Sequence, residues 1–200
     1  MNCLVDPDPT ERELSLFQYI YTKAAQLLSR DGGLQPIAFF RVGNKPQMHG
    51  PKTGMIVPLK MDMPGSDEGK DAVAEALREI VKKLDANLVL MVLESWMVKP
   101  NPEEADYMQR TGEWKVRPSK HPNRIEIVLF SLTKSNGDSW SCWAEIVRDA
   151  QNKPSIPEQP PKLDYLQTGG RFGNLFTDDL EGGEVTNGAA STTTITTSTR

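Results

Sequence analysis

Apolar residues recur at helical spacing in two stretches of the chain, and residues that start or stop helices flank both. The first stripe begins after Asp8-Pro9-Thr10-Glu11, in which Asp8 is the candidate N-cap, and it ends before Gly32-Gly33. The second begins after Ser66, a candidate N-cap with two carboxylates in the following turn. The spacing predicts one helix over residues 9–30 and a second that carries the stripe Val73, Ala76, Leu77, Ile80, Val81 and Leu84.

Shorter apolar runs predict the strands of a sheet. The first two are Ile37–Val42 and Met55–Met61, and Pro58 assigns the second of these to a sheet edge because proline cannot donate to a ladder. The run Asn87–Val98 is apolar on both alternating faces, which predicts a central strand that is covered on both sides. Glu94 lies within it, so its carboxylate must find a hydrogen-bond partner, a proton or water.

A tight hairpin is predicted at Asn136-Gly137, where two further strand-like runs meet. These runs are residues 124–134 and 139–149. An Asn-Gly pair favours a two-residue type I′ turn, since both central residues of that turn need a positive φ. A two-residue loop at this position pairs Phe130 with Trp143.

The same register sorts the hairpin residues onto two faces. One is predicted to be the core face, and it carries Ile125, Ile127, Leu129, Cys142, Ala144 and Ile146. The other face is mixed, and at its far end Arg124 pairs with Asp149 beside Glu126. Arg148 goes to the first face, opposite Ile125.

The order helix, two strands, helix, three strands predicts an α+β domain with a mostly antiparallel five-stranded sheet and two main helices. This domain is predicted to span residues 1–153. In the remainder, 154–200, Pro154–Pro161 is predicted to be a linker, residues 163–176 form an apolar island, and a Gly/Thr/Ser-rich disordered tail follows. The island is expected either to dock on the domain or to serve as a short linear motif for a partner.

Composition narrows the classes of function. The net charge is −4, and this lack of basic excess argues against a nucleic-acid partner. No segment has the roughly 18 consecutive apolar residues of a membrane span, and no signal peptide is recognisable, so a cytoplasmic location without membrane attachment is predicted. Cys3 and Cys142 cannot build a disulfide framework. Phosphate-loop, dinucleotide and paired-cysteine motifs are missing, so no cofactor and no metal site is predicted.

One group of polar residues has the composition of an acid–base site. A histidine among carboxylates can transfer protons, and carboxylates can hold a divalent ion. The candidate catalytic residues are Glu94, His121, Glu126 and Asp149. The alternative is a solvated salt-bridge network at the end of the sheet, in which Arg124 and Arg148 neutralise these carboxylates.

Between the central strand and the hairpin, the chain makes an unusually long connection, residues 99–123. Such segments in compact domains are usually functional or disordered. A short helix is expected around residues 102–109. Side chains of the types that dominate protein interfaces give the candidate binding residues Trp96, Tyr107, Trp114, Arg117, Arg124 and Arg148, together with Phe172 and Phe176 of the island.

Two resemblances add to these inferences. The order of elements over about residues 9–149 is similar to that of the roadblock/longin type of α/β sandwich and, more loosely, to profilin-like folds. The segments Glu94-Ser95-Trp96, Pro118–Glu126 and Arg148-Asp149 resemble stretches of small uncharacterised bacterial and phage proteins. The second resemblance implies a bacterial or phage origin and no particular activity.

The leading hypothesis is therefore an interaction or assembly protein. It would bind a protein partner, or a second copy of itself, through residues 99–123 or through the C-terminal segment. The first alternative is a small enzyme, either a hydrolase or a metal-dependent nuclease, that uses the carboxylate/histidine cluster. A third hypothesis is regulatory binding of a small ligand beneath the long connection.

Overall fold

A mostly antiparallel sheet and three helices make up the fold in the computed structural model, which describes residues 8–43, 54–112, 114–116, 118–165, 172, 175 and 176. The helices are α1 (Glu11–Asp31), α2 (Asp67–Leu84) and α3 (Pro102–Thr111), and a single 3₁₀ turn covers Pro118–Lys120. The strands are β1 (Ile37–Val42), β2 (Met55–Lys60), β3 (Ala86–Val98), β4 (Arg124–Lys134), β5 (Ser139–Glu145), β6 (Val147–Arg148), β7 (Pro154–Ser155) and β8 (Asp164–Tyr165). The predicted α+β class is confirmed.

The strand order shows how the predicted elements combine. Six strands form one sheet in the order β2-β1-β3-β4-β5-β8, and β6 pairs with β7 in a separate two-stranded ladder. The five long strands are those predicted, except that the last one ends at Glu145 and not at residue 149, and the short β8 adds a sixth at the β5 edge. All neighbouring pairs are antiparallel. The predicted disordered tail after residue 176 lies outside the described residues.

Capping explains where α1 and α2 begin. The prediction that Asp8 caps α1 is wrong, because Thr10 is the N-cap and forms a reciprocal capping box with Glu13. The Thr10 N–H donates to the Glu13 carboxylate at 2.8 Å, which places the N-cap at the third residue of the predicted motif. Ser66 caps α2 as predicted, since its hydroxyl accepts a hydrogen bond from the Gly69 N–H at 3.1 Å. Gly32 ends α1 in the left-handed conformation, with φ 77°.

The two helices lie on opposite faces of the sheet, and each covers its own apolar cluster. The α1 face is built around buried side chains that include Phe17, Tyr21, Leu28, Leu88, Leu90, Val92, Val128, Phe130, Leu132 and Trp140. The α2 face is built around Ala38, Phe40, Leu77, Val81, Val89, Met91, Leu93, Met97, Ile127 and Leu129. Alternate residues of β3 belong to the two clusters, so the prediction of a central strand covered on both sides is confirmed.

The hairpin between β4 and β5 has a longer loop than predicted. The Lys134 N–H donates to the Asp138 carbonyl at 2.9 Å, so the loop contains Ser135, Asn136 and Gly137. Gly137 has φ 91°, as in a three-residue loop that combines a type I turn with a left-handed glycine. The Asn136 side-chain oxygen Oδ1 accepts the Asp138 N–H at 3.2 Å and holds the turn.

This extra loop residue shifts the register by one. Phe130 lies opposite Cys142, and Leu129 lies opposite Trp143, so the predicted Phe130–Trp143 pair is wrong. Because side chains alternate between faces, the prediction of one core face and one mixed face is also wrong. Ile127 joins the α2 face, Phe130 and Cys142 join the α1 face, and all three are buried. Burial raises the pKa of the Cys142 thiol to about 12, so the thiol stays protonated in the core.

Pro58 protects the β2 edge of the sheet against further strand pairing. The Met61 N–H donates to the Pro36 carbonyl at 2.8 Å, and in this register the nitrogen of Pro58 faces outward. The predicted edge position of Pro58 is thereby confirmed, and the edge lacks a donor at its centre. At the other edge, Ile156 and Leu163 are buried in the α1-face cluster. The proline-rich stretch that was expected to be a linker thus packs against the body of the domain.

A contact between Tyr21 and Pro157 anchors this stretch. The Tyr21 hydroxyl donates to the Pro157 carbonyl at 2.7 Å, across the space between α1 and the chain that follows β7. Burial raises the pKa of Tyr21 to about 12, which keeps the hydroxyl available as a donor. Within the described residues, no helix is long and apolar enough to cross a membrane.

Candidate functional site

The polar residues at the end of β3 and β4 lie on the α1 face of the sheet. The register places Glu94 opposite Val128 and Trp96 opposite Glu126. Glu94 Oε1 accepts a hydrogen bond from the Leu34 N–H at 2.7 Å, just after the end of α1. Helix α1 therefore ends level with Glu94, and Trp96 and Glu126 lie beyond it.

Two contacts made by arginine side chains hold the residues at this end of the sheet, beyond α1. The Arg124 guanidinium lies over the Trp96 ring, 4.4 Å from its centroid, and it donates to the Ser119 carbonyl of the 3₁₀ turn. Arg148 donates from Nε and Nη2 to Glu126 Oε2 at 3.0 and 2.8 Å. The sequence analysis placed Glu126 and both arginines at one end of the sheet, but it assigned the wrong pairs and did not include Trp96 in this group.

The predicted Arg124–Asp149 pair is one of these errors. Asp149 Oδ1 instead accepts the N–H groups of Gln151 and Lys153 at 2.9 and 2.8 Å, and so closes the turn between β6 and β7. The ladder between β4 and β5 ends at the Ile127–Glu145 pair, and Arg148 pairs with β7 instead, so Asp149 lies beyond the part of the hairpin in which it was predicted to face Arg124.

Glu94 remains the least engaged of the four candidate acids and bases. It is half-buried, and one carboxylate oxygen is held by the Leu34 N–H. Within the described part of the chain, no ion pair to this carboxylate is found. The expectation that a carboxylate in this strand needs a hydrogen-bond partner is thus met by a backbone amide rather than by an arginine.

Residues 99–123, which we call the insert, contain a well-formed helix. Asn101 and Glu104 form a capping box at the start of α3, Pro102 occupies the first turn, and Gly112 ends the helix with φ 72°. The predicted short helix is confirmed. None of its residues is buried, so α3 forms through local capping and not through core packing.

His121 links two parts of the insert, helix α3 and the segment that leads into β4. The imidazole is 4% exposed, its Nε2 lies 2.8 Å from Glu104 Oε1, and its Nδ1 accepts the Asn123 N–H at 3.1 Å. With Nδ1 as an acceptor, Nε2 carries the hydrogen and donates to the carboxylate. Both ring nitrogens are therefore engaged in holding α3 against the chain that leads into β4.

We expect this contact to weaken in acid. The hydrogen bond from His121, followed by that from the Asn101 N–H, holds the pKa of Glu104 below its usual range. A carboxyl whose pKa is lower in the folded state stabilises that state above its ordinary pKa, and this contribution is lost as the pH falls through the lowered value. NMR shifts of the α3 amides, titrated from about pH 6 to about pH 2, should report the loss.

Two substitutions on α3 separate this effect from general acid unfolding. Glu104→Gln should remove the transition, whereas Glu103→Gln, which changes an exposed carboxylate on the same turn, should leave it in place. An unchanged titration in the Glu104→Gln chain would show that the His121 contact does not hold α3.

The remaining candidate binding residues fall into two groups. Tyr107 and Trp114 of the insert are half-buried, and Arg117 lies outside the described residues. Phe172 and Phe176 pack against the α2-face cluster, and Leu175 between them is 2% exposed. Of the two predicted roles of the apolar island, docking on the domain is therefore the one that the structure shows for these residues.

The four candidate catalytic residues do not come together in one site, because each of them contacts a different partner. Glu94 contacts Leu34, His121 contacts Glu104, Glu126 contacts Arg148, and Asp149 closes a turn. In the part of the chain that the structure describes, no three His, Cys, Asp or Glu side chains are arranged to hold a metal ion. The hypothesis of a hydrolase or metal-dependent nuclease gains no geometric support from these contacts.

The sequence analysis missed a second polar cluster, at the opposite end of the α1 face. Glu13 is only 2% exposed, yet its carboxylate accepts the Thr10 N–H at 2.8 Å. Its other oxygen lies 3.5 Å from Lys134 Nζ and 3.9 Å from the Arg41 guanidinium. The Thr-x-x-Glu spacing marks the capping role in the sequence, but the two cations come from β1 and β4 and are visible only in the fold.

Ser95 is a second residue that sequence reasoning overlooked. It is 4% exposed on the α2 face, where it lies opposite Ile127, and its hydroxyl has no hydrogen-bond partner among the residues that the structure describes. Ser95→Ala should raise the free energy of unfolding by about 1 kcal/mol, because an unsatisfied buried hydroxyl is removed. Urea unfolding measures the change.

Ser139→Ala is the matched comparison for this substitution. The Ser139 hydroxyl is also buried, but it lies 3.2 Å from Thr133 Oγ1. Removal of this hydroxyl should therefore lower the free energy of unfolding by about 1 kcal/mol. Equal losses for the two substitutions would mean that the Ser95 hydroxyl is satisfied in solution.

Comparison with known proteins adds no assignment to this geometry. No family model matches the sequence, and neither a curated protein nor a solved structure matches the chain. The similarity in element order to the roadblock/longin sandwich and the bacterial or phage origin therefore stay predictions.

Proposed function

We propose that the protein is an interaction module that binds a protein partner through the insert. The observation that carries this proposal is α3, a helix with complete caps at both ends and no buried residue. Because no side chain of α3 is buried in the core, the surface of this helix can contact a partner. Exposed elements that a rigid scaffold positions are common sites of recognition.

The connection between β3 and β4 does not require the insert. Val98 and Arg124 are the last paired residues of these antiparallel neighbours. Two residues are enough to join such a pair, as in tight hairpins. The insert is therefore additional to the fold, which supports a role in binding.

The side chains of the insert define the chemistry of the proposed partner. Tyr107 and Trp114 are half-buried, and Val116 is 40% exposed. Glu103 and Asp106 are exposed on α3. These residues fit a partner surface with an apolar pocket for the aromatic and aliphatic groups and a rim of mixed charge, because Arg110 and Lys115 of the insert are exposed as well.

The buried His121–Glu104 contact supports binding in a second way. It fixes α3 relative to the start of β4, at an Nε2–Oε1 distance of 2.8 Å. A surface held in its bound geometry before association loses less conformational entropy when it binds. The net charge of −4 agrees with a protein partner rather than a nucleic acid, and a cytoplasmic location remains part of the proposal.

The test compares four chains in affinity capture from the source cell and in light scattering. In the first variant, Asn-Gly replaces the whole insert between Val98 and Arg124. The second carries Tyr107→Ala and Trp114→Ala. Tyr19→Ala is the matched control, since Tyr19 is an aromatic residue on α1 that is 60% exposed.

The native and Tyr19→Ala chains should retain the same partner, and both insert variants should lose it. The double alanine substitution keeps the test valid if the shortened chain does not fold. Retention of every partner by a folded insert variant would overturn the proposal, and so would a native chain that is monomeric and captures nothing.

A further inference from the structure

The insert consists of two limbs that lie side by side. Helix α3 is the first limb. The second, which we call the return limb, comprises residues 114–116 and 118–124 and leads the chain to β4. His121 of the return limb contacts Glu104 of α3, with 2.8 Å between Nε2 and Oε1. This contact fixes the two limbs relative to each other.

The two limbs carry opposite charge. Helix α3 has three carboxylates, on Glu103, Glu104 and Asp106, and one cation, Arg110. The return limb has no carboxylate, and its cations are Lys115, Lys120 and Arg124. An acidic strip and a basic strip therefore adjoin on the insert.

Most of these charged groups lie in water. Glu103, Asp106 and Lys120 are exposed, and among the residues that the structure describes none of the three takes part in an ion pair. Their charges can therefore face complementary charges on another molecule. Glu104 is different, because its carboxylate is already used to hold His121.

A second copy of the insert presents the complementary pattern of charge. A two-fold axis that runs between the limbs, parallel to their length, places α3 of each copy over the return limb of the other. Both contacts then join an acidic strip to a basic strip. An axis that runs across the limbs would place like charges opposite each other, which is unfavourable. Charge therefore favours one symmetric arrangement.

The limbs also carry apolar groups that a dimer would cover. Tyr107 on α3 and Trp114 on the return limb are half-buried, and Val116 is 40% exposed. Interfaces between identical chains combine an apolar centre with a polar rim. The insert has both parts within one short segment.

We propose that the partner of the insert is a second copy of this chain, in a two-fold dimer in which α3 of each copy contacts the return limb of the other. This inference rests on the proposed function, because both use the surface of the insert, and it adds the identity of the partner. Another protein then binds to the insert only after the dimer dissociates.

The experiment measures the dissociation constant of the dimer by sedimentation velocity over a concentration series of four full-length chains. Besides the native chain, one variant carries Glu103→Lys and Asp106→Lys, and another carries Lys115→Glu and Lys120→Glu. The matched control is Glu68→Lys, which reverses an exposed carboxylate in the first turn of α2. NMR of the α3 amides checks that the insert keeps its structure in each chain.

The native and Glu68→Lys chains should form dimers of equal stability. Each doubly substituted variant alone should have a dissociation constant at least roughly tenfold higher, because opposite charges no longer meet across the axis. An equimolar mixture of the two variants should associate more tightly than either one alone. In the mixed dimer, the new lysines of one chain face the new carboxylates of the other.

Three results would overturn the inference: a native chain that is monomeric at every concentration, dissociation constants that stay unchanged in both variants, or a mixture that associates no better than its components. If a monomeric native chain captures a different protein through the insert, only the identity of the partner is wrong, and the proposed function stands. If a charge reversal prevents folding, Glu103→Gln with Asp106→Asn replaces it, and this chain should form a weaker dimer that is less sensitive to salt.

Discussion

Phe130→Ala is expected to lower the free energy of unfolding by about 3–5 kcal/mol, the range for truncation of a fully buried phenylalanine. The Phe130 side chain is 0% exposed on the α1 face. Its ring lies 5.6 Å from that of Phe17 in an edge-to-face arrangement and 5.1 Å from that of Tyr21. Truncation therefore removes aromatic contacts and also leaves a cavity between α1 and the sheet. Urea unfolding followed by circular dichroism measures the loss.

Leu14→Ala provides the comparison. Leu14 is on the same helix layer but 37% exposed, so its truncation should cost only about 1 kcal/mol or less. A similar small loss for Phe130→Ala would mean that Phe130 does not face α1, and the register with Cys142 opposite Phe130 would be refuted.

Glu13→Ala should lower the free energy of unfolding by about 2–3 kcal/mol. The substitution removes a buried carboxylate, leaves the Thr10 N–H without its cap, and leaves two cations without their shared partner. Breaking a fully buried pair costs roughly 3–5 kcal/mol. The loss expected here is smaller because the Arg41 and Lys134 side chains are 23% and 22% exposed and keep contacts with Asn87 and Asp138.

Two further substitutions separate the parts of this effect. Glu13→Gln keeps an oxygen that accepts the Thr10 N–H, so it should cost less than Glu13→Ala. Glu11→Ala, at an exposed carboxylate in the same turn, should change the free energy of unfolding by no more than about 0.5 kcal/mol. A Glu13→Ala chain as stable as the Glu11→Ala chain would contradict the buried network.

The contacts of the polar residues are the reason that we propose binding and not catalysis. His121 uses both ring nitrogens to hold the insert, and Glu126 accepts two hydrogen bonds from Arg148. A general base needs a free lone pair near its substrate. The His121 contacts fix the shape of the insert, and the contact between Glu126 and Arg148 fixes the end of the sheet next to it.

Several features of the fold followed from the sequence because they depend on neighbouring residues. The apolar stripes of α1 and α2, the Ser66 cap and the helix within the insert each require only a few adjacent positions. The alternation in β3 predicted burial on both faces, and Pro58 predicted an edge. The side-chain pattern that defines each of these elements is complete within the element itself.

The sequence by itself determined where the three helices and the five long strands lie and that a hairpin forms at Asn136-Gly137, whereas the short strands β6, β7 and β8 appear only in the fold. The tertiary structure decided the length of that loop, because the free-energy difference between turn types is small compared with the burial of Phe130 against α1. It also chose the partners of Glu94, His121 and Glu13, which lie on other elements of the chain. Long-range packing brings these groups together, and no local pattern of residues encodes their distances.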